Sequence, residues 1–304
     1  MPFGRDERCD GWAETGGGAA VASGAGSEVV VGGGVLPSGN PVVRAVRAVV
    51  EFVRQVLAVA EAEMRKLRHD PVELLTRAVQ PTLWLVVFGQ VMSRVRAIPT
   101  GRMSYLDFMA PGILAQSVLF IAIFYGISLI WERDLGVLHK YLVSPAYRGA
   151  LVSGKAVSAG IRALTQAIIV YLLAWVMGVR LQLTLGAIGG VLLSILLGAA
   201  IFSTFSLVVA CLVKTRERFM GIGQVLTMPL FFASNAIYPL SIMPEWLKLI
   251  SHVNPLTYQV DALRALMIQG GHAAVGLGVD FAVQAAVLLV LIWIAARLYP
   301  DAIN

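Results

Sequence analysis

The sequence predicts an all-α membrane protein: six transmembrane helices, an N-terminal amphipathic interfacial helix and outer re-entrant helices. Three observations predict it. Of the 304 residues, 58% are hydrophobic and only 14% are charged, against roughly 45–50% and 25% in soluble domains. A core of this size has no charged shell to face water. Mean hydropathy is +0.77. Apolar residues also gather into runs close to the 20 or so that cross a bilayer core. The net charge of +6 is spread between these runs rather than gathered in one patch. That suits an anionic membrane surface as partner and gives no reason to expect nucleic acid.

Residues 1–40 hold eleven glycines, and this low-complexity segment is expected to be disordered. It lacks the apolar core of a signal peptide, so no cleavage is expected. Residues 41–69 change character. Val42, Val46, Val49, Val53, Val56, Ala60, Met64 and Leu67 recur at steps of three and four, with Arg44, Arg47, Arg54, Arg65 and Arg68 on other faces. This is an amphipathic helix that either lies in the headgroup layer or packs on another protein. Residues 70–304 form the membrane domain, with spans expected near 74–92, 108–131, 151–179, within 181–213, 219–237 and 275–296.

The basic residues favour a cytoplasmic N-terminus. That orientation puts Arg44, Arg54, Arg65, Arg68, Arg133, Lys140, Arg148, Lys214, Arg216, Arg218 and Arg297 inside. Arg94, Arg96, Arg102, Arg180, Lys248 and Arg264 then lie outside. The segment 238–272 carries Pro239, Pro244, Asn254, Pro255 and Gly270 between short amphipathic pieces around 246–250 and 256–267. It reads either as short helices dipping into the outer leaflet or as an ordinary outer loop.

Chemistry is sparse. Gly149 to Ala156 nearly spells a phosphate-binding loop, but Ala156 replaces the Mg²⁺-binding hydroxyl and no buried strand precedes it. His69, His139, His252 and His272 have no ligand spacing, and Cys9 and Cys211 form no metal or redox motif. No catalytic residue, cofactor site or metal site is expected in this chain. Ionisable groups inside the spans are few, with Asp280 close to an outer end, unlike an ion-driven transporter. The inner segment 131–148 begins with three charges, forms a short amphipathic helix and stops at Pro145. It is either a docking element for a soluble partner or a plain connector.

Four stretches together resemble a known family. Pro111-Gly-Ile-Leu opens the second span. Trp131-Glu-Arg-Asp-Leu-Gly-Val-Leu is followed by Leu142-Val-Ser-Pro. Phe231-Phe-Ala-Ser-Asn-Ala-Ile-Tyr-Pro-Leu-Ser-Ile-Met-Pro-Glu-Trp-Leu comes next, then Asn254-Pro-Leu-Thr-Tyr-Gln-Val-Asp-Ala-Leu-Arg264. In this order, over roughly residues 45–298, they resemble the membrane subunit of type-2 ABC exporters of the daunorubicin-resistance and nodulation-factor branch. The chain departs from the family pattern at Leu135-Gly-Val, at His139 and at Asn235.

The resemblance implies that residues 41–69 are a connecting helix, and that the chain works with a separate ABC ATPase carrying ATP and Mg²⁺. A second permease copy, identical or related, completes the assembly in the cell membrane. It assigns Glu132, Arg133, Asp134, Gly136, Val137, Leu138, Tyr141, Leu142, Pro145 and Arg148 to ATPase docking. It places Pro239, Pro244, Trp246, Asn254, Pro255, Tyr258, Asp261 and Arg264 in an outer cap. The expected activity is ATP-driven export of an amphipathic drug-like or lipid-like molecule. An oligosaccharide or glycolipid exporter, a passive channel and a scaffold are the alternatives. Polar residues in spans are candidates to line the pathway: Gln116, Ser117, Tyr125, Ser128, Gln166, Gln224, Thr227, Ser234 and Asn235. Bonding between helices is the other use for such residues.

Overall fold

The computed structural model describes residues 71–95, 98–99, 103–125, 127, 130–131, 148–213 and 215–298, with the single positions 50, 54, 61 and 65. The helices among them are α1 (Pro71–Leu83), α2 (Gln90–Val95), α3 (Tyr105–Tyr125), α4 (Arg148–Val176), α5 (Leu185–Leu212), α6 (Arg216–Phe232), α7 (Glu245–Val253), α8 (Pro255–Met267) and α9 (Leu277–Leu298). A π-helical turn, Trp84–Gly89, joins α1 to α2. The only extended pairing among the described residues is a bridge between Leu181 and Ile268. The tail 1–40 lies outside the described residues. So does the helix expected at 41–69, save Val50, Arg54, Glu61 and Arg65, which are helical and exposed.

Among the described residues, four helices are long and apolar enough to cross a bilayer: Tyr105–Phe124, Ala156–Val176, Leu185–Leu212 and Leu277–Leu298. They fall on the second, third, fourth and sixth expected spans, the second ending seven residues and the third starting five residues inside the expected bounds. The first expected span falls in the run through α1, the π turn and α2. There Pro81 removes a backbone donor, and Trp84 packs edge-on against Phe88 and Phe231.

The bundle is organised around α3, which is almost wholly buried against α4, α5, α6 and α8. Lipid tails are as apolar as leucine, so close packing rather than the hydrophobic effect joins such helices. Small residues Ala110, Gly112, Ala115 and Ala122 let neighbours approach α3. On α5 the buried stripe Val191, Ile195, Gly198, Ala199 and Phe202 follows helical spacing, while Leu185, Leu192, Leu193 and Leu196 face outward. Most of α9 also faces outward, through residues such as Leu289, Val290 and Trp293.

The fifth expected span differs. It was expected to continue to Ile237, but α6 stops at Phe232 after 17 residues. Ser234 and Asn235 follow, residues that trade helical bonds for local side-chain bonds. The chain then runs irregularly to Pro239 while still packed inside the bundle. Its Ala236 lies so close to Gly112 that a Cβ there would sit 2.8 Å from the Ala236 Cα.

Both helices expected in 238–272 form. The second runs antiparallel to α5: Leu266 meets Gly190 near one end of α8, and Gln259 meets Gly198 further along. Pro255 reaches the level of Phe202 and Phe205. Counted along α5 from Leu185, that is roughly 25 Å from the helix end. Thus α8 begins deep in the bundle and rises to the end that carries the connections 177–184 and 233–276, called here the cap end.

Candidate functional site

Two places gather polar side chains in the described bundle. The first runs along α8 from its deep start up to the cap end, where non-helical backbone is buried. Non-helical chain at membrane depth survives only where protein or water satisfies its carbonyls. Asn254 Nδ2 donates to Leu230 O at 2.6 Å and to Ala233 O at 3.3 Å. The same side chain caps α8, its Oδ1 accepting from Leu256 N at 3.0 Å, with Pro255 at the first helical position. Arg264 Nη2 donates to Asn235 O at 2.7 Å and Nε to Phe108 O at 3.4 Å, with its guanidinium over the Phe108 ring. Tyr105 donates to Ile237 O at 3.2 Å, and Tyr238 donates to Phe232 O. Two stretches of the sequence resemblance, 231–247 and 254–264, are therefore one unit: the second supplies donors to the broken backbone of the first.

Asn254→Asp isolates these roles. It keeps the helix-capping oxygen but turns a donor into a carboxylate facing two carbonyls. It is expected to lower thermal stability in detergent at least as much as Asn254→Ala, by about 2–3 kcal/mol. An intact melting temperature for Asn254→Asp would show that the two carbonyls do not depend on this amide.

Around this unit, Asp107 at the start of α3 binds Arg180 through its backbone N at 3.1 Å, Nε at 3.2 Å and Nη2 at 3.0 Å. Asp261 accepts from Val275 N at 3.0 Å. Asp107, Asp261, Arg264 and Asp280 are all buried, so the sequence reading, which counted few ionisable groups inside, missed a charged layer. Asp107 falls one residue before the span expected at 108, and Arg180 and Arg264 were taken for outer-loop charges. On the exposed α7, Lys248 donates to Glu245 Oε1 at 2.8 Å and holds that carboxyl below its ordinary range. Tyr258 donates to His252 O at 2.7 Å, while Trp246 is exposed. Pro239 and Asn235 border a cavity of about 540 Å³ at this end, together with Asp261 and Arg264. Pro244 caps α7.

The second place is a cavity of about 410 Å³ between α1, α3, α4 and α6. Gln116, Ser117 and Gln166 border it, with Gln80 from α1 and Phe120 and Phe124 from α3. Gln116 lies roughly 16 Å along α3 from Tyr105, and Gln166 roughly 15 Å along α4 from Val176, about half the thickness of a bilayer core. The other pathway candidates with described side chains lie elsewhere. Thr227 donates to Gly223 O within its own helix at 2.5 Å, and Ser234 to Phe231 O at 2.7 Å. Gln224 is on the exposed face of α6. Ser128 and the Tyr125 side chain fall outside the described residues. Gln166 and Gln80 gave no signal beyond polarity in an apolar run.

Of the docking residues, Glu132, Arg133, Asp134, Gly136, Val137, Leu138, Tyr141, Leu142 and Pro145 lie outside the described residues, and Arg148 begins α4. At the near edge of that segment, the Arg216 guanidinium lies 3.8 Å from the Trp131 ring centre, which ties its start to the first turn of α6. Residues 149–156 are helical, the opening turns of α4, whereas a phosphate-binding loop needs free backbone N–H groups.

Residues 54–268 match the family model of ABC-2 type transporters. The chain is 30% identical over 217 residues to ycf38 of Cyanophora paradoxa, named as a transport permease, covering 71% of this chain and 74% of that protein. It is 26% identical over 242 residues to the daunorubicin resistance ABC transporter permease protein DrrB1 of Streptomyces coeruleorubidus, covering 78% and 83%. With DrrC of Mycobacterium tuberculosis H37Rv, named for doxorubicin resistance, it shares 25% over 226 residues, covering 72% and 79%. The family model spans well over half of this chain, with the apolar helices and cap in the expected order, and the protein belongs to the ABC-2 type transporter membrane family.

Proposed function

We propose that this chain is the permease subunit of an ATP-driven exporter, moving an amphipathic drug-like or lipid-like molecule out of the cytoplasm or inner leaflet. The observation that carries this reading is the polar cavity at mid-bundle depth, in a chain of a permease family whose relatives include proteins named for drug resistance. In this reading the chain crosses the cell membrane six times with its N-terminus in the cytoplasm. The run through α1 and α2 is the first crossing. The shortened α6 and its irregular extension form the fifth. The buried start of α8 makes α7 and α8 re-entrant, and the cap end faces outward.

Hydrolysis of ATP, with Mg²⁺, takes place on a separate ABC ATPase that docks on residues 132–148, and two permease chains, identical or related, share two such subunits. ATP-driven closure of the ATPases pulls on the docking segment, and Trp131 under Arg216 passes that movement to α6, which borders the cavity.

The test is reconstitution in liposomes with and without the ATPase subunit. Transport is expected only with both subunits and ATP, and transport by the chain alone would overturn the reading in favour of a passive channel. In the same system, reversing the charges of Glu132 and Arg133 is expected to reduce ATPase retention in a pull-down by about tenfold, as for loss of charge-assisted contacts. Full retention would remove these residues from the docking role.

A further inference from the structure

The mid-bundle cavity carries information about its ligand beyond the proposal of export. Gln116 and Gln166 are 2% and 1% exposed. The Gln116 Nε2 and both amide atoms of Gln166 have no hydrogen-bond partner within the protein. Buried polar side chains are bonded as a rule. The Gln116 amide nitrogen and the whole Gln166 carboxamide, on facing helices and bordering one cavity, are therefore groups held ready for something inside it. Between them they offer N–H donors and a carbonyl acceptor, and Gln80 adds a third carboxamide at the rim.

The rest of the wall is apolar and soft. Phe120 and Phe124 lie with ring centres 6.0 Å apart and planes 25° from parallel, and Met220 supplies an adaptable thioether. No Asp, Glu, Lys, Arg or His is among the described lining residues. The fully buried charged groups of the described bundle, Asp107, Asp261, Arg264 and Asp280, lie at the cap end instead; Arg162, one turn before Gln166 on α4, is half-buried and is not among the described lining residues. An ammonium placed in the cavity would lose its hydration without gaining a counter-charge from any described lining residue, which is strongly unfavourable. A neutral hydroxyl, ketone or amide loses little, because the carboxamides replace the water it leaves. The volume of about 410 Å³ lies within the range of small-molecule pockets, about 300–1,000 Å³.

We infer that this cavity binds the uncharged, hydrogen-bonding part of the transported molecule: a neutral amphiphile with hydroxyl, carbonyl or amide groups on an aromatic or alicyclic frame. Gln116 and Gln166 set that specificity. The inference rests on the export reading for its purpose, but the binding preference is measurable without transport.

The experiment uses the full chain with its ATPase subunit in nanodiscs and a matched pair of photoaffinity probes. One is a benzophenone carrying a short alkyl chain ending in a hydroxyl. The other is the same molecule ending in trimethylammonium. After irradiation, labelled positions are mapped by mass spectrometry. The neutral probe is expected to label Met220 and the 116–124 stretch, and the cationic probe to label them at least fivefold less. Gln166→Leu and Gln116→Leu, which keep volume but remove the amide, are each expected to cut labelling by the neutral probe at least fivefold. Leu289→Ala, on the lipid-facing side of α9, is expected to leave it unchanged. A melting curve for each variant separates lost binding from lost folding, and either glutamine variant alone suffices if the other fails to fold. Equal labelling by both probes, labelling unaffected in a folded glutamine variant, or no cavity labelling by the neutral probe overturns the inference. Each of those results leaves ATP-dependent transport to stand or fall on its own assay.

Discussion

Replacing Arg264 by leucine is expected to be among the most damaging single changes in this protein, lowering stability by about 3–5 kcal/mol, the range for breaking a buried charged network. The side chain is buried, and it donates to the carbonyls of Asn235 and Phe108, which belong to different parts of the chain. Leucine would fill much of the space. It would also leave two carbonyls without donors at a depth where water is scarce, and remove the buried cation whose charge Asp261 supports. Arg264→Lys restores the charge but not the planar fork that reaches both carbonyls, so it should recover only part of the loss. Thermal unfolding in detergent, together with the yield of folded protein, measures both variants. A melting temperature for Arg264→Leu within a degree or two of the parent would mean that the irregular segment 233–239 is held by something other than this arginine.

Gly112→Ala is expected to have the second large effect. A single added methyl would sit 2.8 Å from the Ala236 Cα and 2.9 Å from its carbonyl carbon. These are backbone atoms of a segment already fixed by Arg264, Asn254 and Tyr105, so neither side can yield by rotating a side chain. Overpacking of this kind costs about 1–3 kcal/mol, and here it is expected at the upper end. Gly198→Ala provides the comparison. Its methyl would meet the Gln259 amide, the far end of a flexible side chain, which can swing aside at the cost of its long bond to Ser194 O. The expected order is therefore a large fall in melting temperature for Gly112→Ala and a smaller one for Gly198→Ala. The reverse order would show that the 233–239 segment moves freely against α3.

These two positions also show where the sequence was legible and where it was not. Runs of apolar residues located α3, α4, α5 and α9, because lipid imposes length and composition on a helix that crosses it. Proline and amphipathic spacing located α7 and α8. The end of α6 was not legible. Ala236 and Ile237 are as apolar as Phe231 and Phe232, Ser234 and Asn235 between them read equally well as polar residues within a span, and the partners that satisfy the broken backbone are distant in the chain: Asn254, Arg264 and Tyr105. The pairing of Asp107 with Arg180 was hidden for the same reason, with the two residues 73 positions apart. Polar residues in spans could be picked out as a class but not sorted. Gln116 borders the cavity, Thr227 bonds within its own helix and Gln224 faces outward, and only the rotation of each helix distinguishes them.

The early stop of α6 bears on how the protein fits its host membrane. Its 17 residues make a cylinder roughly 25 Å long, shorter than the roughly 30 Å of hydrocarbon in a typical bilayer. Its neighbour α5, at 28 residues, is roughly 42 Å long. In the proposed six-span arrangement the helical part of the rim is thus uneven, short at α6 and long at α5. Lipids must thin or tilt on one side, at a cost of a fraction of a kcal/mol per Å of mismatch. Acyl-chain length in the surrounding membrane therefore acts as a mechanical load on the very segment that Arg264 and Asn254 hold in place.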